Sequence, residues 1–185
     1  SLNPFAAYIG ESFALTNFFF GFLPTALFVG QFLATLPMGF IADYVATHRL
    51  MLLLMSIVGG GFLLLATIAG SYFLALLFIM LAGLGYGGMH PVTNKMLVQL
   101  YPIEKIALPI GVKQMSITLG SALSSIVLIA IAEQIGWRPT IMMASLLLLV
   151  MGVCIYLLLR SHEETFRLHR STEASLVAHL KKLMS

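Results

Sequence analysis

Long apolar segments separated by short polar connections fill most of the chain. Five of them, residues 18–42, 50–69, 73–98, 107–132 and 139–159, are each about long enough to cross a bilayer as a helix. Turn signals such as Gly70 with Ser71 and Gly136 with Pro139 end these segments. The pattern predicts an all-α fold, a polytopic membrane helix bundle with five complete transmembrane helices.

The composition favours burial in lipid over burial in water. Hydrophobic residues make up 59% of the 185 residues and charged residues only 9%, too few to cover a soluble domain of this length. The basic residues stand at segment ends and form no stripe with aromatic residues, so the net charge of +3 does not indicate a nucleic-acid partner. The lone cysteine, Cys154, lies in an apolar segment and is expected to pack there. The expected surroundings are a lipid bilayer.

Lysine and arginine set the expected orientation. Most of them lie on or after one set of alternate connections: Arg49, Lys105, Arg160, Arg167, Arg170, Lys181 and Lys182. Arg138 lies on the opposite set. We therefore expect loops 43–49 and 99–106 and the tail from residue 160 in the cytoplasm, and loops 70–72 and 133–138 outside. The protein is then a multi-pass protein of the cell membrane.

Both ends of the chain depart from the repeating pattern. Residues 1–14 are apolar but too short to span a membrane, and we interpret them as the end of a truncated first helix followed by an outer loop. The chain would then be a fragment, with its transmembrane bundle in residues 1–160. Residues 161–185 are polar, and we expect a cytoplasmic linker with a short amphipathic helix that begins near Ser171.

Small residues recur at helical spacing in the first, third and fourth segments. Such residues let two helix backbones approach closely in a membrane. We expect these three helices to form the core of the bundle, and the second and fifth, rich in large aliphatic residues, to lie at its periphery. Two interpretations stay open: the small residues only pack helices, or they also line a path. They are Gly30, Gly83, Gly87, Ser116, Gly120 and Ser124.

A few polar side chains lie deep inside the third and fourth segments. An ionisable group at such depth costs about 3 kcal/mol and usually faces a wet cavity or a partner. Two simpler interpretations stay open: Lys113 reaches the headgroups with its long stem, and His90 is a hydrogen-bonded packing residue. Pro91 frees a backbone carbonyl and predicts a local helix break of the kind transporters use around substrates. The residues predicted to line a solute path are Tyr86, His90, Asn94, Lys113 and Gln114.

Four motifs resemble, in order and spacing, those of the major facilitator superfamily. The connection GFIADYVATHR is similar to the signature between the family's second and third helices, with matches at Gly39, Asp43 and Arg49. Three later runs resemble the fourth and fifth helices of bacterial solute carriers in that family. They are GLGYGGMHPVTNKMLVQLYP from residue 83, GVKQMSITLG from residue 111 and GWR from residue 136.

The resemblance implies a carrier of two six-helix halves, with the substrate between them and access alternating by rocking. This chain would supply the N-terminal half, its first helix largely missing, and the C-terminal half would be a missing partner. By analogy Gly39, Asp43 and Arg49 form a conformational latch, the alternative being that the two charges only set topology. Ile79 replaces a common Arg and Gly120 lacks a following Pro, so the resemblance favours a small-solute carrier over a drug antiporter.

No enzyme site, cofactor site or metal site is expected from the sequence. The serines lack an accompanying histidine and acid, and GLGYGG lies in a membrane segment and not after a strand. We predict secondary active transport of a small solute, with Lys113 favouring an anionic one. The alternative is a small membrane scaffold that binds a partner and moves no solute.

Overall fold

The described part of the chain is built from helices. The computed structural model describes the backbone of residues 21–183 and the side chains of residues 21–161 except that of Asp43. Five helices in it are long and apolar enough to cross a membrane. The predicted all-α fold is confirmed, while the interpretation of residues 1–14 lies outside the described residues. The elements are α1 (Phe22–Tyr44), α2 (Thr47–Ile68), α3 (Tyr72–Leu100), a 3-10 helix (Ile103–Lys105), α4 (Ala107–Ile135) and α5 (Trp137–Leu183).

Short connections join consecutive helices. Val45 and Ala46, both extended, separate α1 from α2. Ser71 is the N-cap of α3, and its hydroxyl oxygen accepts a hydrogen bond from the Leu74 amide at 3.4 Å. α4 turns into α5 through Gly136 alone, whose φ of 87° lies in the left-handed region that favours glycine. These short connections reverse the direction of the chain, so that α2 runs antiparallel to α1 and α3.

The second and third helices form the centre of the described bundle. α3 packs in parallel along α1 and in antiparallel orientation against α2, and α2 also packs on α5. The side chains of Leu54 and Leu65 on α2 and of Ile79 on α3 are fully buried in these contacts. α3 is thus the helix whose position the rest of the bundle fixes most firmly.

Glycines allow the closest approach between these helices. A Cβ atom on Gly83 or Gly87 would overlap the backbone of α1, and one on Gly30 would overlap the backbone of α3. Gly61 and Gly85 lie similarly close to backbone atoms across the contact between α2 and α3. Close backbone packing matters here because lipid tails leave no hydrophobic driving force between helices in a membrane.

The fourth helix packs less closely on the others than α1, α2, α3 and α5 do. α4 contacts the rest of the described chain mainly near its turn into α5. Ala132, close to that turn, is the one residue of α4 that the described chain buries. The predicted core of first, third and fourth helices is therefore wrong for α4 within the described residues, and the second helix, expected at the periphery, is central. Lipid tails are as apolar as leucine side chains, so an aliphatic face does not reveal whether it meets lipid or a helix.

The fifth helix continues without a break from Trp137 to Leu183. The sequence predicts a linker after residue 160 and a new helix from Ser171, and the single helix corrects this. Its physical reason is that residues 153–183 contain neither Gly nor Pro to end a helix. The predicted apolar face of the terminal segment falls on side chains outside the described ones.

Cations from neighbouring helices cap two helix C-termini. The Lys95 ammonium of α3 donates a hydrogen bond to the Ala42 carbonyl oxygen in the last turn of α1. At the opposite end of the bundle, Arg138 donates to the Ala69 carbonyl oxygen at 3.2 Å, where α2 has just ended. The last carbonyls of a helix lack intrahelical donors and carry partial negative charge, so a cation there contributes up to about 1 kcal/mol. These caps hold α1 on α3 and α2 on α5.

Candidate functional site

Three polar residues of α3 lie four apart and therefore share one face of the helix. Tyr86, His90 and Asn94 are separated by about 6 Å of helix rise at each step. Tyr86 is the middle residue of the 29-residue helix. Asn94 lies near the end where α1 and α3 finish and where Arg49 and Lys105 stand, which we call the basic end. The three residues therefore run from mid-helix toward the basic end.

Lys113 of α4 joins these residues from the side. Its ammonium donates a hydrogen bond to the Asn94 amide oxygen at 2.6 Å. Lys113 is the seventh residue of α4, about 9 Å along the axis from its start, and its side chain is half-buried. The side chain thus reaches across to α3. We call Tyr86, His90, Asn94 and Lys113 the polar row.

Aromatic rings form the inner part of the polar row. The rings of Tyr86 and His90 meet edge to face, with centroids 5.5 Å apart and planes at 85°. This is a favoured arrangement for aromatic pairs. Tyr86 is 36% exposed in the described structure, so part of its surface stays accessible beside the half-buried His90. The row therefore combines a polar end with a flat aromatic end.

Pro91 lies within the row without breaking the helix. α3 is continuous from Tyr72 to Leu100, so the predicted local break is wrong. Pro91 has no amide hydrogen, which leaves the Gly87 carbonyl oxygen without its intrahelical donor. The Thr35 hydroxyl of α1 lies 3.5 Å from that oxygen, but it donates its one hydrogen at 2.7 Å to the Gln31 carbonyl oxygen of its own helix. The Gly87 carbonyl oxygen therefore faces α1 with at most a weak contact to this hydroxyl.

The remaining predicted residues of α4 are not drawn into contact with α3. The side chain of Gln114 is exposed beside Lys113. A Cβ on Gly120 would meet nothing within 4 Å, and the hydroxyls of Ser116 and Ser124 donate to carbonyl oxygens of their own helix. Within the described residues, Gly120 therefore borders open space, and the hydroxyls of Ser116 and Ser124 are bound to their own helix.

The three residues of the expected latch lie around the turn between α1 and α2. A Cβ on Gly39 would meet nothing within 4 Å in the described structure, and Arg49 is exposed in the first turn of α2. Of Asp43 the structure describes the backbone alone. The Thr47 hydroxyl donates to the Gln99 amide oxygen at 3.4 Å, which ties this turn to the end of α3.

Gln31 is a polar group at depth that the sequence pattern did not single out. It lies in α1 against Gly87, at the level of Tyr86, and its amide oxygen is buried without a hydrogen-bond partner among the described residues. Such unsatisfied atoms are rare in folded proteins. The signal was present in the sequence as a lone amide in an apolar span, so Gln31 is a further candidate residue.

The polar row carries a positive charge that no acidic residue among residues 21–161 balances at its depth. From residue 21 to residue 161 the acidic residues are Asp43, Glu104 and Glu133, and all three lie at helix ends or between helices. The partner of Lys113 is the neutral Asn94 amide, which supports the ammonium without cancelling its charge. An anion bound at the row would neutralise it.

These features define a multi-pass, all-helical membrane protein with polar groups held between apolar helices. The family model of the Major Facilitator Superfamily matches residues 1–185. A search of curated proteins returns no significant match. The chain belongs to the Major Facilitator Superfamily, whose members are membrane transporters and not enzymes. The resemblance read from the sequence motifs is confirmed, and membership implies membrane transport of a small solute through a lipid bilayer.

Proposed function

We propose that the chain is the N-terminal half of a secondary active carrier that moves a small anionic solute by alternating access. The observation that carries the proposal is Lys113, a cation two turns inside a span whose partner is a neutral amide. Carriers of this kind hold their substrate between two helix bundles, near the middle of the membrane. A cation without a counter-ion suits such a site because the anion supplies the missing charge.

Each residue of the proposed path has a distinct part. Lys113 attracts the anion, and Asn94 holds the ammonium in place at 2.6 Å. The edge-to-face pair of Tyr86 and His90 bounds the site on its inner side. Gln114 follows Lys113 in the chain with its side chain exposed, and its amide is the second one that we assign to the path. Together these five residues provide one charge, two amides and two rings.

A C-terminal half is the proposed partner of this chain. No described residue comes within 4 Å of a Cβ on Gly120 of α4 or on Gly39 at the basic end. A second bundle that covers both surfaces would shield the polar row from lipid. Gly39, Asp43 and Arg49 would then lie at the moving contact as a latch. The positive charge of the basic end supports a cytoplasmic location for that end and for the tail, in the cell membrane.

A flux assay in vesicles separates the carrier from its alternative, a membrane scaffold that moves no solute. We expect no flux of anionic solutes from the chain alone and saturable flux when it is reconstituted with its C-terminal half, because the site needs both walls. The C-terminal half alone is the matched control and should give none. Absence of flux from the complete assembly, with partner binding retained, would favour the scaffold.

A further inference from the structure

The turn of α3 that carries Asn94 of the polar row also carries Lys95, and these two neighbours hold different helices. We infer that Lys95 is a positioning residue that couples occupancy of the solute site to the position of the connection between α1 and α2. The inference rests on the proposed function and adds a regulatory link to it. That connection holds the expected latch, Gly39, Asp43 and Arg49, so the site and the latch change together.

Lys95 holds the end of α1. Its ammonium donates a hydrogen bond to the Ala42 carbonyl oxygen, one of the last carbonyls of α1, which lack intrahelical donors. Ala42 immediately precedes Asp43 in the chain. Lys95 therefore acts on the backbone from which the acidic residue of the expected latch extends.

A second contact ties the same connection to α3. Gln99 lies four residues after Lys95 and therefore on the same face of the helix. Its amide oxygen accepts a hydrogen bond at 3.4 Å from the hydroxyl of Thr47, the buried first residue of α2. α3 thus holds the connection on both sides, at Ala42 and at Thr47.

Apolar packing makes this connection and the end of α3 one unit. Ala42 of α1, Leu50 of α2 and Val92 of α3 are buried in one hydrophobic cluster. Val92 lies three residues before Lys95, so the cluster reaches the turn that carries Lys95. Close-packed side chains shift together, because separate movement would open cavities between them. A displacement of that turn of α3 is therefore passed to the connection.

α4 joins this unit through the solute site. Lys113 reaches Asn94 with a hydrogen bond of 2.6 Å, and α3 and α4 share few other contacts in the described part of the chain. A bound anion attracts the ammonium more strongly than the neutral amide oxygen does. Binding therefore draws Lys113 away from Asn94 and weakens the attachment of α4 to the turn. The links from solute to latch are Lys113 with Asn94, the backbone from Asn94 to Lys95, and Lys95 with Ala42.

Labelling of a cysteine at position 45 measures the position of the connection. Val45 lies between α1 and α2 and is 36% exposed in the described structure. Val45→Cys is introduced into the complete carrier together with Cys154→Ala, and an impermeant thiosulfonate reagent is applied from the side of the basic end. Lys113→Met breaks the first link without a solute. We expect it to raise the labelling rate at least about fivefold, the lower end of typical coupling between sites.

Lys95→Met should produce a similar rise by itself. In the Lys95→Met background, Lys113→Met should change the rate by less than about twofold, because the link is already broken. Lys95→Arg keeps a cationic donor and should retain both the parent rate and the response to Lys113→Met. Lys105→Met is the matched control, since it removes an exposed lysine of the 3-10 helix, and it should leave the rate unchanged.

The inference is overturned if either Lys113→Met or Lys95→Met leaves the labelling rate unchanged, or if Lys105→Met raises it as much as they do. It is also overturned if Lys113→Met raises the rate by the same factor with and without Lys95→Met, or if Lys95→Arg behaves like Lys95→Met. Equal factors would mean that the two lysines act independently and that Lys95 only stabilises the contact between α1 and α3. Labelling requires no flux, so these outcomes are distinct from failure of the carrier proposal, which absence of flux in vesicles would show.

Discussion

Uptake of anionic solutes by the complete carrier is expected to fall at least about 30-fold when Lys113 is replaced by glutamine. Removing one member of a partly buried charge interaction costs about 2–5 kcal/mol, and 1.4 kcal/mol corresponds to a factor of ten. Glutamine is one atom shorter than lysine but keeps a hydrogen-bond donor for Asn94, so most of the loss reports the charge. The measurement is initial uptake per molecule inserted in the membrane.

Lys105→Gln provides the matched control, because it removes a lysine from an exposed 3-10 helix next to α4. Its uptake should stay within about twofold of the parent, since an exposed charge contributes little. Lys113→Arg keeps the charge and should retain part of the uptake. Normal uptake by Lys113→Gln, at normal membrane insertion, would end the assignment of Lys113 to the solute path.

The second large effect is expected at the contact between α1 and α3. Gly87→Ala adds a methyl group that would overlap the Gln31 backbone, so one helix must move away from the other. Overpacking of this kind costs about 1–3 kcal/mol, which outweighs the gain in helix propensity of about 0.5–1 kcal/mol. We expect the apparent melting temperature of the protein in detergent to drop by several degrees.

Gly60→Ala is the control for this substitution. Gly60 lies in α2, where a Cβ would meet nothing within 4 Å of it in the described structure. The substitution there brings only the gain in helix propensity, so the melting temperature of the Gly60→Ala variant should be unchanged or slightly higher. If Gly60→Ala and Gly87→Ala change the melting temperature equally, the close approach of α1 and α3 does not require glycine at position 87.

The number of helices and the connections between them could be predicted from the sequence, because apolar length and turn residues are local signals. Gly136 is an example, since its turn needs only itself and its neighbours. The central position of α2 could not be predicted, because leucines such as Leu54 and Leu65 are equally suited to contact with lipid and with a neighbouring helix. The continuity of α5 past residue 160 was missed because composition, and not the absence of helix breakers, set the boundary.

The candidate site was predictable up to the level of a helix face. Periodicity alone puts His90 and Asn94 on the same side of α3. The contact of Lys113 with Asn94 also depends on how α4 is positioned along α3. Helical periodicity does not determine the relative position of two helices. The cap that Lys95 forms on Ala42 joins residues 53 apart, and the lysine alone indicates no such partner.

The central claim is that the polar row faces water and not lipid, and cysteine accessibility tests it most directly. The native Cys154 is exposed on α5, so it is first replaced by alanine. In that background Asn94→Cys and His90→Cys, in the complete carrier, should react with a membrane-impermeant thiosulfonate reagent. Leu147→Cys, at a well-exposed apolar position of α5, should stay unreactive because lipid covers it. If the two row positions are as unreactive as Leu147→Cys from both sides of the membrane, no hydrated path runs beside them and the account is contradicted.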